Sequence, residues 1–155
     1  MTPLEILVTS LAYLMAGDGE VSAEERAKLL AVLNKHVNRK EIMPAHMKQM
    51  VKTAFAMARK TPVEVFAGRI SSELSPGQRL AVFTNLYDTA LADGEVRGGE
   101  KAVLDVFQGA FDLETNHVRA LQEVLRIKND STVFTNLGHP HNDPNFKFQV
   151  VFQRE

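Results

Sequence analysis

The 155-residue chain contains no cysteine and no tryptophan. The first absence removes disulfides, thiolate metal sites and thiol redox chemistry together, and it fits a reducing cytosol. The second removes the usual stacking platform for a sugar ring. An excess of one charge is missing too. Eighteen Lys and Arg face nineteen Asp and Glu, for a formal net charge of -1. Such a chain has no general electrostatic claim on nucleic acid or on an acidic membrane. Long apolar runs are absent. The nearest, "LEILVTSLAYLMAG", carries Glu5, has no basic residue before it and runs into an acidic loop. It is too short to span a bilayer and lacks the flanks of a secretion signal. It reads as a core helix, and the chain as a cytoplasmic protein without a transmembrane segment.

What remains is ordinary globular material, 45% hydrophobic and 24% charged, the size of one domain. Helix starts are written in one spelling three times, as "TPLE" (Thr2 to Glu5), "TPVE" (Thr61 to Glu64) and "SPGQ" (Ser75 to Gln78). Each offers a capping hydroxyl, a proline at the first helical position and Glu or Gln at the third. Behind and between these starts the apolar spacing is helical. Leu4, Leu7, Val8, Leu11, Leu14 and Met15 form a first stripe, and Leu29, Leu30, Leu33 and Val37 a second. Met47, Met50, Val51, Ala54, Phe55 and Ala58 give a third, and Val63, Phe66, Ile70 and Leu74 a fourth. Leu80, Phe83, Tyr87 and Leu91 give a fifth, Val103, Leu104, Phe107 and Phe111 a sixth, and Val118, Leu121 and Leu125 a seventh. The expectation is an all-α fold of seven helices over residues 1–128. Residues 129–155 differ in kind, a loop rich in Asn, Pro and Gly that closes on alternating Phe146, Phe148, Val150 and Phe152. That pattern predicts a short strand, paired with Ser131 to Phe134 as a hairpin or with a second copy across a homodimer.

The chain also repeats itself. At an offset of 75 residues, Asp18, Gly19, Glu20, Val21 and Glu25 meet Asp93, Gly94, Glu95, Val96 and Glu100. Thr9, Leu11, Ala27 and Leu29 meet Thr84, Leu86, Ala102 and Leu104. The repeated unit, about 4–33 and 79–108, is helix, acidic loop, helix, and implies two pseudo-symmetric halves. Turn chemistry explains part of it, since Asp-Gly makes a tight reversal. Capping explains another part, because Ser22 and Glu25 spell a capping box. In the second loop Arg97 stands in the serine's place, yet Glu100 is kept. Aligned with a calcium EF-hand, Asp18, Gly19, Val21 and Glu25 fall on positions five, six, eight and twelve. Positions one and three would be Leu14 and Ala16, or Thr89 and Leu91 in the second copy, so neither loop is an EF-hand. Each is half a site, and hard cations need several oxygens.

"MAGDGEVSAEE" and "ALADGEVRGGE", one in each half of an all-helical chain of this size, resemble the TerB family of tellurite-resistance proteins and the related helical domain of DjlA-type co-chaperones. The resemblance covers roughly residues 3–128. It implies a compact seven-helix bundle, a non-catalytic role in bacterial stress response, and an acidic cluster holding divalent metal. On this chain the cluster is Asp18, Glu20, Glu25, Asp93, Glu95 and Glu100. Oxygen donors without His or Cys favour calcium or magnesium. The implied partners are other proteins, and the location is the cytoplasm, in solution or peripheral to the inner membrane. Tellurite itself is not written into these residues, and a chain without cysteine is badly placed to reduce it by thiol chemistry.

Rival readings have weaker carriers. Asp88 and Asp105 lie near the second loop and are the residues an acid–base enzyme would use. No nucleophile elbow, phosphate-cradling glycine loop or metalloprotease His pair accompanies them. A second rival is a metal-independent module that docks a basic partner on its acidic face. Met43, Met47, Met50 and Met57 read as core packing, and the basic stretch from Lys35 to Lys60 as solvated helix faces. His36, His46 and His117 read as surface residues. "HPHND" offers His139, His141 and Asp143 at a spacing that suits a metal, but a Pro- and Asn-rich turn writes such strings by composition alone, and the sequence names no further ligand.

Overall fold

A computed structural model of the chain describes residues 1–16, 21–37, 42–92 and 95–148. Among these residues there are seven helices and no strand. They are α1 (Pro3–Met15), α2 (Ala23–His36), α3 (Pro44–Lys60), α4 (Val63–Ile70), α5 (Pro76–Leu91), α6 (Gly98–Ala110) and α7 (Thr115–Asn129). Single turns of tighter helix follow α4, at Ser71–Glu73, and lie in the tail, at Pro140–Asn142.

The first helix is the centre of the bundle. It packs against α2, α3, α5 and α6, and every residue from Ile6 to Met15 is buried. Burial on all sides leaves no solvent face for a polar atom. Thr9 and Ser10 meet this by donating their hydroxyls to the carbonyls of Glu5 and Ile6, both at 2.7 Å. Tyr13 reaches outward instead. Its hydroxyl donates to the Thr61 carbonyl at 2.7 Å, and its ring stacks on Phe66 of α4 at 4.9 Å. Phe66 meets Phe107, and Phe107 meets Phe111, both edge to face, so an aromatic chain runs from α1 through α4 into α6.

That contact explains a departure at "TPVE". Thr61 does not cap α4. It closes α3, donating its backbone N–H to Met57 at 2.9 Å, while Pro62 stands at the start of α4 without a side-chain cap. Thr61 is extended, as residues before proline are, but its N–H is taken by Met57 and its carbonyl by Tyr13, so it belongs to the end of α3. The other two starts hold. The Thr2 hydroxyl accepts from Glu5 N–H, and Ser75 with Gln78 makes a complete capping box.

The apolar stripes are where the spacing puts them, with exceptions at the edges. Leu80 is 40% exposed, and α5 buries Val82, Leu86 and Ala90 beside Phe83, Tyr87 and Leu91. Of the methionines, Met47 is core and Met57 packs partly against it, while Met43 lies exposed ahead of α3. The exposed positions of Lys35, Lys48, Lys52, Arg59 and Lys60 agree with solvated helix faces; Arg39, Lys40 and Glu41 lie outside the described residues.

The tail corrects the hairpin. Residues 131–135 form a turn closed by Thr135 N–H on the Thr132 carbonyl, not a strand. Asp130 causes it, because its Oδ1 accepts from both the N–H and the hydroxyl of Thr132 and bends the chain back at once. The Asn142 amide donates to the carbonyls of Val133 and Asn136 and stitches the loop across. Val150 and Phe152 lie outside the described residues.

Two side chains join or end the peripheral helices. Asp88 on α5 accepts from Lys128 at 2.8 Å and from Asn129 at 2.8 Å, which fastens α5 to α7. Partial burial pushes its carboxyl up, but the bonds from Asn129 and Lys128 outweigh that and leave it below the ordinary value. Asp112 takes a positive φ of 50° after α6, with its own N–H on Gly109 and that of Leu113 on Gln108. This is the double bond pattern that normally ends a helix on glycine.

Both features give measurable outcomes. Asp88→Asn should cost about 0.5–1 kcal/mol at neutral pH, a figure suited to a part-exposed pair. A depressed folded-state pKa contributes stability above the unfolded value of about 3.9 and loses it as the pH falls through the folded one. Urea denaturation of the two proteins should therefore converge in acid. Asp112→Gly removes left-handed strain at an exposed site and should stabilise by about 0.5–1 kcal/mol, read as a raised melting temperature. A lowered one would show that the aspartate side chain contributes more than its backbone costs.

Candidate functional site

Three of the six expected cation ligands, Glu25, Glu95 and Glu100, fall among the described residues; Asp18, Glu20 and Asp93 lie outside them. The second helix of each acidic segment begins at the expected interval, α2 at Ala23 and α6 at Gly98. Glu25 and Glu100 consequently hold the same third position in their helices, where a carboxylate faces the positive end of the helix dipole.

The two glutamates are used differently. At α2, Ser22 Oγ accepts from the Glu25 N–H at 3.1 Å, which satisfies one of the helix's unpaired donors. Glu25 does not reach back to complete the expected box. Its Oε2 is instead buried without a hydrogen-bond partner. A buried acceptor left unpaired costs about 1–3 kcal/mol, so such an atom asks for an explanation. At α6, Glu100 Oε1 does reach back, accepting from the Arg97 N–H at 3.1 Å. Arg97 has only donors on its side chain and cannot return the bond as serine does. The kept glutamate of the second loop thus has a capping task of its own.

Glu95 is exposed and stands at the rim of a cleft of about 490 Å³ formed by α5, α6 and α7, beside Lys101, Asp105 and Arg126. The charges there are mixed, so this part of the surface is not a uniformly acidic face. Among the described residues Glu25, Glu95 and Glu100 do not form a three-ligand cluster.

The acid–base pair of the enzyme reading has other tasks. Asp88 fastens α5 to α7, and Asp105 is an exposed partner of Lys101 one turn away at 3.5 Å. The Asp88 carboxyl is held below its ordinary value, opposite to the shift a general acid needs, and Asp105 lines the cleft between α5, α6 and α7 without it.

The tail holds the cluster the sequence could not complete. Asp130, His139 and His141 each offer one ligand atom, all within 4.8 Å of one another. His139 Nε2 lies 2.6 Å from Asp130 Oδ2, and its Nδ1 accepts the His141 backbone N–H at 3.1 Å. Hydrogen bonds from the Thr132 hydroxyl and N–H, with a smaller share from His139, hold the Asp130 carboxyl below its ordinary value. Asp143, the carboxylate suggested by the string itself, is turned into the loop and accepts from the Asn145 N–H. Asp130 was the missing residue. The signal for it was the "NDST" string, an aspartate two residues before a threonine at the end of a helix, which spells a turn back toward α7.

Neither a curated protein nor a solved structure matches the chain. A family model does, described as tellurite resistance protein TerB and matching residues 5–123, from α1 through most of α7. On that match, over three-quarters of its length, the chain belongs to the TerB family of tellurite-resistance proteins.

Proposed function

We propose that this TerB-family protein acts without catalysis, as a stress-response component that binds a divalent cation through its two Asp-Gly-Glu loops. The observation that carries the reading is Glu25 Oε2, a buried carboxylate oxygen without a partner at the end of the first loop. A hard cation is the natural partner for such an atom, and the residues offered by the loops fit one. They supply oxygen donors alone, from Asp18, Glu20 and Glu25 in one copy and Asp93, Glu95 and Glu100 in the other, which suits calcium or magnesium. The equal interval between the helices that follow the loops supports a duplicated origin of the two half-sites. Glu100, which spends one oxygen on the Arg97 N–H, is the weaker donor of the equivalent pair.

Binding to the native state alone stabilises by mass action, about 2.7 kcal/mol at a hundredfold excess over Kd. Millimolar calcium or magnesium should therefore raise the melting temperature of the purified chain by several degrees. Glu25→Gln should shrink that rise and increase the stability of the metal-free protein, because an unpaired carboxylate is removed from a buried place. Asp18→Asn combined with Asp93→Asn should abolish the rise. No shift with calcium, magnesium or manganese would sink the cation reading. A module that docks a basic protein partner on the acidic loops would then be the better account.

A further inference from the structure

The tail carries a second cluster of a different chemistry. It stands apart from the acidic loops in sequence and shares no residue with them. Asp130 ends α7, and the loop that follows returns His139 and His141 to it. The carboxylate is fixed in place, since Oδ1 holds the Thr132 N–H and hydroxyl at 2.8 and 2.7 Å. Its Oδ2 is turned to His139 Nε2. His139 is fixed as well. With its Nδ1 accepting the His141 N–H, the neutral ring carries its proton on Nε2, which points at Asp130. Two side chains are thus aimed at one point by bonds made on their far sides.

His141 completes the set and is not satisfied as it stands. Its Nδ1 is buried without a hydrogen-bond partner, and its Nε2 is 3.8 Å from Glu123 Oε1, too far for a good bond. Its ring lies 5.0 Å from that of His139 and is backed by the edge of Phe146 at 4.8 Å. The side chains of His139, Asp130 and His141 are 15%, 25% and 26% exposed, so the cluster is sheltered yet open to an ion from solvent.

We propose that Asp130, His139 and His141 form a binding site for a borderline transition-metal ion of the zinc class. Two imidazoles and one carboxylate are the donors such ions select, whereas calcium and magnesium take oxygen ligands and leave imidazole aside. The ion takes the place of the proton that now bridges His139 Nε2 and Asp130. Bonds of about 2.0–2.1 Å in a tetrahedral site put ligand atoms about 3.3 Å apart, so the 2.6 Å contact of His139 Nε2 with Asp130 Oδ2 opens as the ion replaces the proton, and a torsional adjustment of His141 on its loop brings its nitrogen in from within 4.8 Å. Glu123, on α7 two turns before Asp130, is placed to accept from the His141 nitrogen that does not bind the ion, or to serve as a fourth ligand. Bound metal would tie the loop to α7 at both of its histidines.

The ordinary alternative is a His–Asp pair that merely fastens the loop, and the test separates the two. The untagged full-length chain, stripped with a chelator, is titrated calorimetrically with zinc chloride. One zinc per chain is expected, at micromolar Kd or tighter, with a raised melting temperature. His141→Gln leaves the His139–Asp130 pair intact and should weaken zinc at least tenfold. His139→Gln should do the same, while Glu25→Gln should leave zinc affinity unchanged. Helix content by circular dichroism shows that the variants are folded. Cobalt gives a readout that does not depend on them, since a tetrahedral imidazole-bound ion has intense visible absorption. Absence of stoichiometric zinc binding would overturn the proposal. So would zinc affinity unchanged in both histidine variants, which would assign it to His36, His46 or His117 on the surface, or a wild-type cobalt spectrum without that absorption.

Discussion

The bundle depends on one helix having no outside. From Ile6 to Met15 α1 meets protein on every side, so each polar atom on it must be answered within the fold. The answers are local for Thr9 and Ser10, whose hydroxyls return to their own helix. For Tyr13 the answer is distant, and it organises the neighbours. Its hydroxyl binds the carbonyl where α3 ends, and its ring sets the position of α4. Burial raises the pKa of this phenol and outweighs the Thr61 side chain and the Arg69 charge, which act the other way. A phenol that keeps its proton remains a donor, which is what the end of α3 requires.

The two acidic segments show how a repeated sequence can hold one geometry and divide its tasks. Serine in the first copy takes over the capping of α2 and leaves Glu25 Oε2 without a hydrogen bond. Arginine in the second copy cannot cap, and Glu100 does it instead. One substitution, Ser22 against Arg97, therefore decides what the glutamate three residues later is for. Equivalent letters in a duplicated sequence do not carry equivalent chemistry.

The helices were legible because their signals are local. Apolar spacing and the caps at Thr2 and Ser75 act within a few residues, and no tertiary contact overrides them. At Thr61 the local signal is the same, but α3 runs up to it, so Thr61 closes α3 and α4 starts on Pro62 without a side-chain cap. The hairpin expected with Ser131 to Phe134 fails for another reason. Alternation in Phe146 and Phe148 says what a strand would look like but not whether a partner strand exists, and Asp130 bends the candidate partner into a turn. At the candidate sites the sequence revealed donors and not their company. The duplicated loops were found by self-comparison, whereas the His139–Asp130 contact joins residues that share no motif and meet through the path of a loop.

The second helix is held by little. Among its fourteen residues Leu29 and Leu33 are the buried ones, against ten on α1. Regions with few buried contacts open at low free energy while the rest of the molecule stays native. The amides of α2 should accordingly exchange with solvent long before those of α1. Any ligand anchored at Glu25 would be felt first as slower exchange along this helix, without a change of shape elsewhere. The helix with the fewest buried residues is thus the one whose first turn carries the unpartnered oxygen.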